Sequence, residues 1–145
     1  MALSKAFETY ERPGLVVSYK LAATKVYKGG NLAVNASGYA IALSHSATGY
    51  KFLGVANETI DNSTGSAGDK AVNVTKSGTF VFKAASGYTP SQADIGKEVY
   101  AVTDWEVQTG TGGLTNLYKV GTIVSIEPTS GGQPGVRVRI SNYTL

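Results

Sequence analysis

Glycine breaks this chain every few residues, and no stretch between the breaks is regular enough for a helix. Eighteen glycines are spread over 145 residues, and no window of a dozen residues carries apolar side chains at a 3.6-residue period. What remains is a series of short β-rich runs bounded by turn chemistry. The runs are "LVVSYKLA" (15–22), "TKVYK" (24–28), "NLAVN" (31–35), "YAIAL" (39–43), "KFLGVA" (51–56), "KAVNVT" (70–75), "GTFVFKA" (78–84), "KEVYAVT" (97–103), "KVGTIVSI" (119–126) and "GVRVRI" (135–140). Turns fall at "KGGN", "NASG", "NSTGSAGD", "TGTGG" and "TSGGQPG". This spacing predicts an all-β fold, a small β-barrel or β-sandwich with Gly-rich turns, and not βαβ units. The one helical signal is a single turn at "SQAD" (91–94), after Pro90 and stopped by Gly96. Residues 1–14 mix Phe7 and Tyr10 with charges, show no alternation and end at Pro13-Gly14. They are expected to form an extended or flexible N-terminal arm, leaving 15–145 as a single β domain.

Alternation within the runs assigns faces. Val136, Val138 and Ile140 share one side of the last strand, and Arg137 and Arg139 the other. That is a half-buried strand with a basic outer face. In "YAIAL", Tyr39, Ile41 and Leu43 share a face, while Ala40 and Ala42 form a face of small residues that something is expected to approach closely. "KEVYAVT" is apolar on both faces, with Val99 and Ala101 against Tyr100 and Val102. Strands apolar on both sides imply an extra surface to cover, such as another subunit. Tyr100, Val102, Arg137 and Arg139 are therefore candidate residues of an oligomer or docking interface.

Several kinds of chemistry find no support. With no cysteine, disulfides and thiolate metal sites are out of reach, and His45 is the single histidine. No resident metal or cofactor is expected, although a carboxylate-only Ca²⁺ or Mg²⁺ site is left open. No run approaches the roughly 18 apolar residues of a membrane helix. The opening "MALSKAFETYERPG" has no apolar signal core, so no secretory leader is expected. Five Asn-x-Ser/Thr sequons (Asn35, Asn57, Asn62, Asn73 and Asn142) are what chance gives in a chain so rich in these residues. The net charge of +3 lies within residues 1–30, where five cations meet Glu8 and Glu11, and the remainder is balanced.

The pair Phe80 and Phe82, two apart and flanked by Lys76 and Lys83, poses a choice. Paired rings on a strand beside lysines are how OB and cold-shock barrels stack bases. They are also how a barrel fills its interior, with Thr79, Val81 and Lys83 facing out. The balanced body favours the interior, because phosphate binding draws its affinity from clustered cations. A phosphate loop is absent: in "SQADIGKE", Ser91 stands where glycine is needed and Glu98 where Ser or Thr should follow Lys97. "DWE" places Asp104 and Glu106 on one face if it is strand, read as a solvated acidic face with Trp105 turned inward. His45 lies among serines with no G-x-S-x-G around it, and is read as a solvated loop residue. The acidic and amide residues of "ETIDNSTGSAGD" read as turn formers. No catalytic residue is assigned, and the chain is not expected to be an enzyme.

The order of the motifs resembles a known family. A basic front is followed by "VYKGGNLAVN", "FLGVANETI", "AVNVTKSGTFVFKA", "DIGKEVYAV", "YKVGTIVSI" and "GVRVRI". This is similar to the small capsid cement, or head decoration, proteins of tailed bacteriophages, over roughly residues 15–140. The resemblance implies a compact β-barrel or sandwich on the outer surface of an assembled icosahedral shell, made in the bacterial host cytoplasm. It implies the major capsid protein as partner and self-association, a homotrimer in preference to a dimer. It implies no catalysis, no membrane and no nucleic-acid partner. Members have sometimes been labelled recombinases, an activity that the missing phosphate loop argues against here. Under this reading Phe7, Tyr10 and Arg12 are docking residues of the arm. Two other classes stay in view: a single-stranded nucleic-acid-binding module using Phe80 and Phe82, and a carbohydrate-binding β-module using loop aromatics such as Trp105 and Tyr88.

Overall fold

The computed structural model describes residues 4–6 and 14–141. In chain order the strands are β1 (Val16–Lys20), β2 (Lys25–Val26), β3 (Asn31–Val34), β4 (Ala40–Ala42), β5 (Lys51–Ala56), β6 (Ile60–Asp61), β7 (Ala71–Thr75), β8 (Ser77–Ala84), β9 (Glu98–Ala101), β10 (Glu106–Gln108), β11 (Lys119–Ile126) and β12 (Gly135–Ser141). A single 3-10 turn, Gln92–Asp94, stands where "SQAD" predicted it. The fold is all-β, and the choice between barrel and sandwich resolves as a closed barrel with a sheet packed on it. Strands β8 to β12 close the barrel in the order β10-β8-β12-β11-β9. Strands β1, β7, β5, β3 and β4 form an open sheet in that order, and β2 pairs with β6 as a small ribbon.

The barrel follows from the alternation of its two longest neighbours. Val136, Val138 and Ile140 are fully buried, while Arg137 and Arg139 are exposed. In the antiparallel register Val136 faces Phe82 and Val138 faces Phe80, and directly paired residues share a face. Both rings therefore point into the barrel. Phe82 is 2% exposed, and Phe80 is half-buried against the same core. The rings stack on each other, 6.4 Å apart with a 29° interplanar angle. The interior option for this pair is the one the chain adopts. Burying two such rings contributes on the order of 2 kcal/mol each, which an exposed platform would forfeit.

The open sheet is apolar on both faces because it separates two cores. Ala33, Phe52 and Val55 lie on the barrel side, in one cluster with Val99, Val107 and Ile123. Leu32, Leu53, Val72 and Val74 lie on the other side with Leu21 and Val26. Strand β5 serves both faces by breaking its alternation at Gly54. The register with β3 pairs Leu32 with Gly54 and Ala33 with Phe52, so Leu53 is an extra residue, a bulge. Gly54 sits at φ +148°, and a Cβ there would run into the Thr75 carbonyl oxygen and stand 2.9 Å from Val74 Cγ1. Only glycine fits.

Of the small-residue face of "YAIAL", Ala40 is fully buried, packed in one cluster with Leu21, Leu32 and Leu53. Leu21 bridges to Ala40, and the Ala22 amide donates to the Ala40 carbonyl at 2.9 Å. The run "KEVYAVT" is shorter than expected as a strand. It ends at Ala101, and residues 102–105 bend so that β10 can return beside β9. The Val102 amide donates to the Glu106 carbonyl at 2.8 Å, and the Glu106 amide donates to Thr103 Oγ1 at 3.2 Å. Because "DWE" begins in this bend rather than in a strand, Trp105 is not turned inward but stands 44% exposed.

Candidate functional site

The outer wall of the barrel carries three of the four residues singled out by alternation or two-sided apolarity. Arg137 and Arg139 project from β12, and Tyr100 shares the outward side of β9 with Glu98. Across the wall, Thr79, Arg139, Thr122 and Glu98 form one row of paired positions, and Val81, Arg137 and Ser125 form the next. Tyr100 pairs with Lys119 on one side and Gln108 on the other. Val102 lies just beyond β9, half-buried, its carbonyl accepting from the His45 amide at 3.3 Å. The arm residues Phe7, Tyr10 and Arg12 lie outside the described residues.

Most charges on this wall already have partners. Arg137 Nε donates to Thr79 Oγ1 at 3.0 Å, and its guanidinium lies 3.8 Å from Glu127. Lys119 pairs with Glu98 at 2.8 Å, and that hydrogen bond and charge raise the Lys119 pKa above its ordinary 10.5. Lys83 pairs with Glu106 at 3.0 Å. Arg139 has no acidic partner among the described residues. Such surface pairs contribute roughly 0–1 kcal/mol each; their effect is to neutralise the wall. Beside them Val81 and Val124 are exposed, at 39% and 38%. Val81 was legible as the outward neighbour of Phe80 and Phe82. Val124 was not, because the register with β12 shifts between Ile123 and Ser125 and pushes the residue between them outward.

Other residues weighed for chemistry turn out to hold loops. His45 is not simply solvated: its Nδ1 accepts from the Thr115 amide at 3.1 Å, and its carbonyl accepts from Asn116 Nδ2 at 2.8 Å. It ties the loop before β5 to the loop before β11. Asp61 accepts from the Ser63 amide and hydroxyl, the turn-forming role expected of it. Asp94 accepts from the Ser91 amide, the Tyr88 hydroxyl and the Lys97 ammonium, each at 3.0 Å. The lysine and the amide hold its pKa below 3.8, while burial and this hydrogen bond push Tyr88 up to about 12. Asp104 is raised above 3.8, chiefly by burial. Among the described residues no group of three or more His, Cys, Asp or Glu could hold a metal ion. No helix among them is long and apolar enough to cross a membrane.

Among the described residues the wall is thus mixed in character: threonine, paired ions, two exposed valines and one arginine without an acidic partner. Its chemistry suits contact with another protein surface. Comparison with protein-family models, curated proteins and solved structures found no match.

Proposed function

We propose that this protein is a structural virion component that binds the outer surface of an assembled phage capsid and stabilises it against the pressure of packaged DNA. The observation that carries the reading is the barrel's outer wall, where Val81 and Val124 stand exposed beside Arg137 and Arg139, the latter without an acidic partner among the described residues. Apolar patches ringed by neutralised charge adhere to protein surfaces. A second feature supports it. Strand β1 ends the open sheet, pairing only with β7 among the described residues, and the arm leads directly into it. An exposed edge strand is what strand addition requires of a sheet.

On this reading the partners are the major capsid protein and further copies of the chain, a trimer in preference to a dimer. The site is the virion's outer surface, reached after synthesis in the bacterial host cytoplasm. Several weak contacts on one oligomer can gain roughly 10²–10⁴ in apparent affinity when they engage together. The nucleic-acid reading has lost the feature that motivated it, since Phe80 and Phe82 stack inside the barrel.

Co-sedimentation with purified expanded and unexpanded shells tests the proposal, alongside the particle mass by light scattering. Binding to shells is expected for the full chain and weakened for a chain lacking residues 2–14. Arg139→Glu should weaken it about tenfold without loss of fold. Absence of the full chain from every shell pellet would remove the proposal; undiminished binding by the truncated chain would remove the arm from it.

A further inference from the structure

We propose that the cleft between the β2–β3 turn and the flank of the barrel binds a neutral saccharide, with Tyr27 and Trp105 as its stacking rings. The cleft has a volume of about 690 Å³ and is lined by Tyr27, Lys28 and Gly30 on one side and by Lys83, Asp104 and Trp105 on the other, with the turn at 129–133 closing its end. That volume suits a small organic ligand. Among the described residues, Tyr27 at 56% and Trp105 at 44% are the only aromatic side chains counted as exposed, and both line this one cleft. The protein buries or half-buries its other described aromatics, so two bare rings in one concavity call for an occupant.

Both rings are held. The Lys25 ammonium lies 5.0 Å from the Tyr27 ring centre, and the Lys83 ammonium 5.2 Å from that of Trp105. Lys83 is itself anchored by Glu106 at 3.0 Å. A cation over a ring holds it in place, and a ring already fixed loses little freedom on binding. The face of a pyranose is a patch of C–H groups that packs flat on such a ring, while its hydroxyls lie around the edge. Asp104, Gln133 and Lys28 line the same cleft and bring polar side chains within reach of such hydroxyls. A partly buried carboxylate accepting from hydroxyls is a strong, orienting contact.

Charge selects the ligand class. Lys83 is neutralised by Glu106 at 3.0 Å, and Lys28 shares the lining with Asp104, while Lys25 lies over the Tyr27 ring. A phosphate or nucleotide draws its affinity from clustered, uncompensated cations; with Lys83 neutralised and the Asp104 carboxylate in its lining, this cleft suits them poorly. Gly30 keeps the floor open: a Cβ there would stand 3.2 Å from the Tyr27 carbonyl and 3.4 Å from Asp104 Oδ2. Val81 lines the cleft and also belongs to the outer wall, so the two surfaces adjoin without coinciding. The inference does not depend on the capsid reading.

Trp105 is the only tryptophan in the chain, so its fluorescence reports on the cleft directly. The full chain would be applied to a glycan array, and the best neutral oligosaccharide then titrated against tryptophan emission, with AMP and inorganic phosphate as controls. A saturable change with a Kd of about 1 mM or tighter is expected. Tyr27→Ala and, on the exposed turn, Gln133→Ala should each weaken it, the first about tenfold, with thermal unfolding unchanged. A blank array, a response to AMP or phosphate alone, or affinity unaltered in both variants would overturn the proposal.

Discussion

Gly54 shows how one residue permits the two-sided sheet. Its φ of +148° and the Thr75 carbonyl beside it leave no room for a Cβ. Gly54→Ala is expected to destabilise the protein by about 3 kcal/mol, through backbone strain and the steric clash together, read as a lower urea midpoint at unchanged slope. A midpoint equal to that of the parent would show that the bulge relaxes freely. Tyr88 sets a different prediction. Its pKa of about 12 in the fold exceeds the ordinary 10.0, so the unfolded chain gives up this proton first as pH rises. The stability it contributes is intact below pH 10 and is lost as pH climbs towards 12. Tyr88→Phe should therefore show a shallower fall in melting temperature across that range, and parallel curves would refute the assignment. Asp94, held below 3.8, acts with the opposite sign: its contribution is present above that value and lost as pH falls below it.

Among the elements, β12 was the most legible and β10 the least. Five residues of alternating valine or isoleucine and arginine, Val136 to Ile140, state both faces of β12. Two- and three-residue strands such as β6 and β10 contain no full period, and pairing alone defines them. The run at 97–103 looks like strand throughout because Val102 and Thr103 have β propensity, yet the Glu106 carbonyl captures both their amides. Of the candidate wall, the arginines and Val81 could be read from period; Val124 required the bulge. Tyr27 gave no signal, because its exposure follows from where the β2–β3 turn lands on the barrel. The element most open to disruption is the seam between β8 and β10, the barrel's one parallel pairing, joined at two residue pairs. Amide exchange at Lys83 and Ala85, which donate to Trp105 and Val107 across that seam, should be faster than at Val136 and Val138. Equal protection would mean that the barrel opens only by global unfolding.

At the scale of the molecule, sheet and barrel occupy consecutive stretches of chain yet share a core. Ala33, Phe52 and Val55 from the sheet complete the cluster around Val107 and Ile123. A fragment of residues 77–141 should therefore lack a cooperative thermal transition, since the barrel would leave that contact surface in water at a cost of about 25 cal/mol per Å² of apolar area. A sharp transition in the isolated fragment would show that the barrel is self-sufficient. The all-β class and turn spacing were visible from glycine and alternation alone. The barrel stood as one of two options beside a sandwich, and the sequence could not choose between them, because closure depends on which edges meet and no local pattern encodes that.

The order in which the two halves are encoded has a consequence for biogenesis. A ribosome completes Phe52 and Val55 before it has made any of the strands that will cover them. The nascent polypeptide must carry a bare hydrophobic sheet through translation, so rapid emergence of its carboxyl-terminal half protects it from sticking to its neighbours.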